Sequence, residues 1–269
     1  MRKLVLLIQC VCLYGLVNLN AQNVSVSPSR LSFNEAPGGF KSQRIRITNN
    51  GSVTQTFTIT FNNFCSEGNK GKTQLIKDSD YKHGCAQWLS ASPALIELAP
   101  GAMRDVEITL QLPDRPSVNG VRWAVANVLL SNGNRPDNTI SANEKSRHLN
   151  RLLIHIFQTS PAVLYKDASI TRFFHKGANA NNQQELVLEL ENTGETILDC
   201  NSYLDVVSLQ TGESSHIQTT PVTVLPGANR AISFHLPSSL ISGKYSILGI
   251  VEYGNENELT GAELEIEIK

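Results

Sequence analysis

Apolar and polar residues alternate along most of this chain with a period of two. Arg44-Ile45-Arg46-Ile47 is the plainest instance: the isoleucines face one way and the arginines the other. Phe57, Ile59 and Phe61 continue the pattern. In the second half Leu186, Leu188 and Leu190 oppose Glu185, Val187, Glu189 and Glu191, and Leu264, Ile266 and Ile268 oppose Glu263, Glu265 and Glu267. Such alternation describes a strand with one dry face and one wet face. It predicts strands over 24–27, 30–33, 43–48, 54–64, 95–98, 105–112, 122–130 and 149–157. A second set is predicted over 168–174, 185–191, 198–209, 222–224, 230–236, 243–253 and 259–268. The first strand stops at Pro28 and resumes at Arg30, as a proline-interrupted edge strand does.

The turns punctuate this pattern in a repeated way. A small or apolar residue, Pro-Gly, a short polar link and an alternating strand recur at Ala36-Pro37-Gly38, Ala99-Pro100-Gly101 and Leu225-Pro226-Gly227. Pro presets one φ and Gly tolerates the positive φ that follows it in a tight turn. Asn49-Asn50-Gly51-Ser52 reads as a hairpin turn. Residues 131–146 are polar and read as a long loop, and Ser160-Pro161 reads as a hinge. The fold expected is all-β: two tandem immunoglobulin-like β-sandwiches, over 22–160 and 161–269. Each is long enough to bury a core of its own.

The first residues stand outside that scheme. Met1-Arg2-Lys3, the apolar run from Leu4 to Val17 and the polar step to Ala21 have the layout of a signal peptide, residues 1–21, cut after Ala21. The run is short for a membrane helix, which needs about 20 apolar residues. No later segment is apolar enough to span a bilayer, so the mature chain is expected to have no transmembrane segment and to reside in the periplasm or outside the cell. Taking Arg2 and Lys3 from the 23 basic residues leaves 21 against 24 acidic ones. That balance lacks the basic footprint of a nucleic-acid binder.

Export makes the cysteines informative. Cys10 and Cys12 leave with the signal, and Cys65, Cys85 and Cys200 remain. A Cys65–Cys85 disulfide would close a polar loop and stabilise the fold by about 3 kcal/mol in an oxidising compartment. Cys200 is left over, as an inert thiol.

A search for reactive groupings yields little. Gly71-Lys72-Thr73 lacks the four-residue spacing that a phosphate loop needs after its first glycine. His83 and Cys85 form the one close His/Cys pair, too few ligands for zinc. Asp78 and Asp80 lie in a loop without calcium spacing. The alternating glutamates are the wet faces of their strands. No catalytic set, metal or cofactor is implied, and a protein-binding module is the expectation. A carbohydrate or cell-wall binding module is the alternative, and it would need an exposed platform from Trp88 or Trp123.

The order of several short motifs carries a resemblance. Ser27-Pro28-Ser29-Arg30-Leu31 precedes Arg44-Ile45-Arg46-Ile47-Thr48-Asn49-Asn50, then Trp88-Leu89-Ser90-Ala91-Ser92-Pro93, Leu98-Ala99-Pro100-Gly101, Gly120-Val121-Arg122-Trp123 and finally residues 152–157. The series resembles the N-terminal immunoglobulin-like domain of PapD-like periplasmic chaperones, which assist pilus assembly. The two-domain layout, with Gly243-Lys244-Tyr245 late in the second half, is similar to that of WxL-interacting cell-surface proteins. The resemblance implies an exported or envelope protein partner. It also implies that Arg30 occupies the place of an inter-domain arginine that holds a partner's terminal carboxylate. The companion lysine maps onto His155, which lacks a permanent charge near neutral pH. Leu152, Ile154 and Ile156 either form an edge row for β-strand addition or belong to the core.

Overall fold

The computed structural model describes residues 24–78, 81–116, 119–131, 151–163, 165–180, 183–238, 240–254 and 258–268. The signal segment, Asp80 and most of the 131–146 loop lie outside the described residues. Ten strands come first: β1 (Val24–Ser27), β2 (Arg30–Phe33), β3 (Phe40–Asn49), β4 (Gln55–Glu67), β5 (Lys72–Ile76), β6 (Leu89–Ser92), β7 (Leu95–Leu98), β8 (Met103–Gln111), β9 (Val121–Ser131) and β10 (Arg151–Thr159). Eight follow: β11 (Ala168–Ala178), β12 (Gln184–Asn192), β13 (Leu198–Ser208), β14 (Ser214–Gln218), β15 (Val222–Val224), β16 (Asn229–His235), β17 (Gly243–Glu252) and β18 (Leu259–Ile268).

Strands β1 to β10 pair only among themselves. One sheet runs β1-β3-β8-β6 and the other β2-β10-β9-β4-β5, with β7 also on β4. Between them lie Ile45 and Ile47 of β3, Val106, Ile108 and Leu110 of β8, Phe57 of β4, Ala124 and Ala126 of β9, and Ile154 and Ile156 of β10. Strands β11 to β18 likewise form β11-β12-β16 and β14-β13-β17-β18, with β15 on β13. Leu186, Leu188 and Leu190 of β12 there meet Leu204 and Val206 of β13 and Ile247 and Val251 of β17. The protein is an all-β pair of sandwiches. The outward glutamates of β12 pair with cations of β11, Glu185 with Lys176 at 2.9 Å and Glu189 with Arg172 at 3.5 Å.

Three local expectations change. The chain does not resume one strand after Pro28. β1 pairs with β3, whereas β2 crosses to the other sheet and lies parallel to β10. β4 does not stop near Phe64; it continues to Glu67, and a turn with Gly68 and Gly71 both at φ +63° feeds β5. The Cys65–Cys85 bridge is not formed, and all three cysteines are free thiols. Because β4 runs on, Cys65 sits within the ladder opposite Gln74, with Sγ 3.7 Å from Gln74 Oε1. Cys85 instead points into the first core, fully buried. Burial pushes its thiol up to about 12, as burial and then Asp199 do for Cys200.

A third apolar cluster joins the sandwiches. The outer face of the β2-β10-β9-β4-β5 sheet contributes Phe64, Val121, Trp123, Val125 and Phe157, and the second sandwich contributes Leu225. Trp123 donates its Nε1–H to Phe64 O at 2.8 Å. The face that alternation would expose to water is therefore dry, covered over Trp123 by Tyr81 and His83 of the same sandwich and elsewhere by Leu225 of the second.

Candidate partner-binding cleft

The cleft is built from the two strands that the chain crosses over to make. His155 N–H donates to Ser29 O at 3.0 Å, and the parallel register places Arg30 beside His155. The two residues singled out in sequence, 125 positions apart, are thus neighbours on one sheet. β2 begins only here, so it covers β10 from His155 to Gln158. Among the described residues the remaining half, 151–154, is paired with β9 on one side alone. Backbone direction alternates along a strand. The N–H and C=O groups of Arg151 and Leu153 therefore point the same way as those of His155, past the end of β2.

Side chains alternate too. Ile154 and Ile156 are core residues at 1 % and 0 % exposure, and Leu152 packs half-buried against the same core. The row turned to the cleft is Leu153, His155 and Phe157. These line a cavity of about 480 Å³ between the sandwiches, with Phe64 and Thr73 from the first and Leu225 and Arg230 from the second.

Arg30 is already engaged. Its Nη1 donates to Asp199 Oδ1 at 2.6 Å and to Thr223 Oγ1 at 3.1 Å, and Thr223 Oγ1 donates to the same Asp199 oxygen at 2.7 Å. The guanidinium also lies 4.4 Å from the centre of the Phe157 ring, a cation–π contact. His155 Nε2 is 3.0 Å from Thr73 Oγ1, and its ring stands edge-on to Phe64 at 5.3 Å. Burial, and then the nearby Arg30 charge, hold the His155 pKa below its ordinary value. His155 is thus a neutral, aromatic and hydrogen-bonding wall and supplies no second positive charge.

The cationic residue that the sequence reading missed is Arg230. It enters the cleft from β16, and its Nη1 donates to Lys70 O in the β4–β5 turn. Ala231 N–H donates to Asn69 O at 2.6 Å in the same turn. Gly71 permits this approach: a Cβ there would stand 1.2 Å from Arg230 Nη1. No local pattern in the sequence marks Arg230 or Asp199, since each matters only through a residue of the other sandwich.

Neither tryptophan forms an exposed platform. Trp123 is 2 % exposed, and Trp88 is half-buried with the Arg122 guanidinium 4.9 Å over it. Among the described residues no three His, Cys, Asp or Glu side chains cluster to hold a metal. Among the described residues no helix is long and apolar enough to cross a membrane.

The chain is similar in structure to fimbrial chaperones. The class 5 fimbriae chaperone CfaA is 12 % identical at a TM-score of 0.44, over 91 % of this chain and 98 % of that one. The CupB2 chaperone of Pseudomonas aeruginosa is 11 % identical at 0.42, over 89 % and 98 %. The Acinetobacter baumannii pre-assembly complex of the chaperone CsuC with the tip adhesion subunit CsuE, from archaic chaperone-usher pili, gives 14 % identity at 0.41, over 90 % and 97 %. No protein-family model and no curated protein matches the chain.

Proposed function

We propose that this chain is a non-enzymatic protein of the periplasm or cell surface that holds an extended segment of another exported polypeptide. In this reading residues 1–21 direct export, and the sandwiches over 22–160 and 161–269 form the binding body. The observation that supports it is the uncovered half of β10, residues 151–154, running into the inter-domain cavity. A strand laid there would gain backbone hydrogen bonds from Arg151 and Leu153, while alternate side chains entered the space beside Leu153, Phe64 and Leu225. Arg30 sits at the inner end of that path with Asp199 on it. A partner's acidic group would compete with that carboxylate for Nη1 of the guanidinium.

The test is affinity capture from envelope extracts with the natural chain and with Leu153→Pro. Proline removes the outward N–H and leaves the β9 side of the ladder intact. The expected result is one or a few exported proteins retained by the natural chain and lost with the variant. Equal capture by both, or no capture at several salt concentrations, overturns the reading.

A further inference from the structure

The second sandwich carries another open edge, on β16. This is the outer strand of its three-stranded sheet. Leu236 N–H donates to Gln184 O at 2.9 Å. Counting back along the antiparallel register places Phe234, Ile232 and Arg230 in the positions that bond to β12. The backbone groups of Ala231, Ser233 and His235 therefore point away from the sheet. Ala231 displays that direction, because its N–H reaches across the domain junction to Asn69 O. The β4–β5 turn thus makes on one rung the contact that an added strand would make on several. Among the described residues no backbone group accepts from Ser233 or His235 on that side.

A groove of about 610 Å³ runs beside this edge. Ile217 and Val222 are its half-buried apolar residues, Thr219, Thr220 and Ser233 add hydroxyls, and Lys70, Arg230 and His235 are its ionisable residues, with no acidic residue in the lining. Among the described residues no carboxylate pairs with Arg230. Arg230 and Val222 also line the cleft described above, so the groove continues from it. An open backbone edge calls for a polypeptide, alternate apolar contacts call for an extended one, and unpaired cations call for acidic side chains.

We propose that the β16 edge accepts an extended segment of a partner polypeptide, with apolar side chains against Val222 and Ile217 and an acidic side chain against Arg230 and Lys70. Its backbone edge is distinct from that of β10, although the two sites share Arg230 and Val222.

The probe is a capped peptide of about eight residues alternating Glu and Val, a length that spans one strand. It is added at millimolar concentration to the isotope-labelled full chain, and amide hydrogen exchange is read residue by residue. The expected result is slowing of exchange by about tenfold at Ser233 and His235, weaker binding of the matching Gln/Val peptide, and loss of that preference in Arg230→Gln. Ser233→Pro removes one outward N–H and should abolish the protection at His235 while circular dichroism stays unchanged. If that variant fails to fold, the Glu-against-Gln comparison in Arg230→Gln decides alone. Protection confined to Leu153 overturns this proposal and leaves the β10 reading standing. Equal binding of the two peptides, or no protection at β16, also overturns it.

Discussion

Two corners of this molecule are built from the same parts and used differently. Asn49 ends β3 in the first sandwich, and Asn192 ends β12 in the second. Asn49 Nδ2 donates to Val53 O at 2.8 Å and Leu98 O at 2.9 Å, and its Oδ1 accepts from Gly51 N–H at 2.9 Å. Asn192 Nδ2 donates to Thr196 O and Val224 O, both at 2.9 Å, and its Oδ1 accepts from Gly194 N–H at 3.0 Å. Each asparagine backbone carbonyl accepts from the glycine of a Pro-Gly turn, Gly101 or Gly227. Each turn is closed by the same bond, Ala102 N–H to Ala99 O and Ala228 N–H to Leu225 O at 3.0 Å, with the glycines at φ +73° and +71°.

The residue before proline differs between them. Ala99 is exposed, whereas Leu225 is 6 % exposed and completes the cluster between the domains. One backbone device therefore serves as a plain turn in one sandwich and as a domain joint in the other, and the side chain at a single position makes the difference.

The comparison breaks most readily at the asparagines. Each holds three backbone groups, of which Leu98 O at the first corner and Thr196 O and Val224 O at the second are in buried bonds, and a buried group left unpaired costs about 1–3 kcal/mol. Asn49→Ala and Asn192→Ala should each lower stability by about 3 kcal/mol or more in urea denaturation. Losses of similar size mark the two corners as equivalent; a loss under about 1 kcal/mol at either one separates them.

Leu225→Ala, which gives the second corner the residue of the first, should cost about 2–4 kcal/mol by cavity formation. It should also loosen the joint, seen as earlier proteolysis between the sandwiches. Ala99→Leu, at an exposed position, should change stability by less than about 0.5 kcal/mol.

Acid should act on the joint with a smaller effect. Burial lowers the pKa of His155, so the unfolded chain binds the proton more readily than the folded one. Stability is then fully present above the ordinary value of 6.5 and declines as pH falls below it. His83 is shifted in the same direction, by burial first. His155→Gln should make the acid limb of a stability–pH curve shallower without abolishing it, and an unchanged limb would remove His155 from the cause. Asp199→Ala should also have a small effect on stability in urea denaturation. Its side chain is 59 % exposed, and such a pair contributes about 1 kcal/mol or less.

Much of the body was legible before any coordinates. Strict alternation located both sets of long strands, and the Pro-Gly turns marked where strands begin again. What escaped did so for physical reasons. β5 (Lys-Thr-Gln-Leu-Ile) and β14 (Ser-Ser-His-Ile-Gln) are polar and lack alternation, because neither buries a full face. Missing β5 placed Cys65 at a strand end and made a bridge to Cys85 look reachable. The Asn49-Asn50-Gly51 turn and the Pro-Gly turns are legible one by one, but Asn192-Thr193-Gly194 is not singled out, and the bonds that join Asn49 to Gly101 and Asn192 to Gly227 are tertiary. In the cleft, Arg30 and His155 were reached through resemblance, and the register brings them together. Asp199 and Arg230 act across the joint, where sequence proximity carries no information.

The central claim is that a partner's strand lies along the open half of β10. Site-specific photo-cross-linking tests it most directly, with a photoreactive residue at Leu153 in one sample and at the exposed Leu248 of β17 in another. Exported polypeptides should cross-link at Leu153 and not at Leu248. Equal labelling at both positions, or labelling at Leu248 alone, would contradict it.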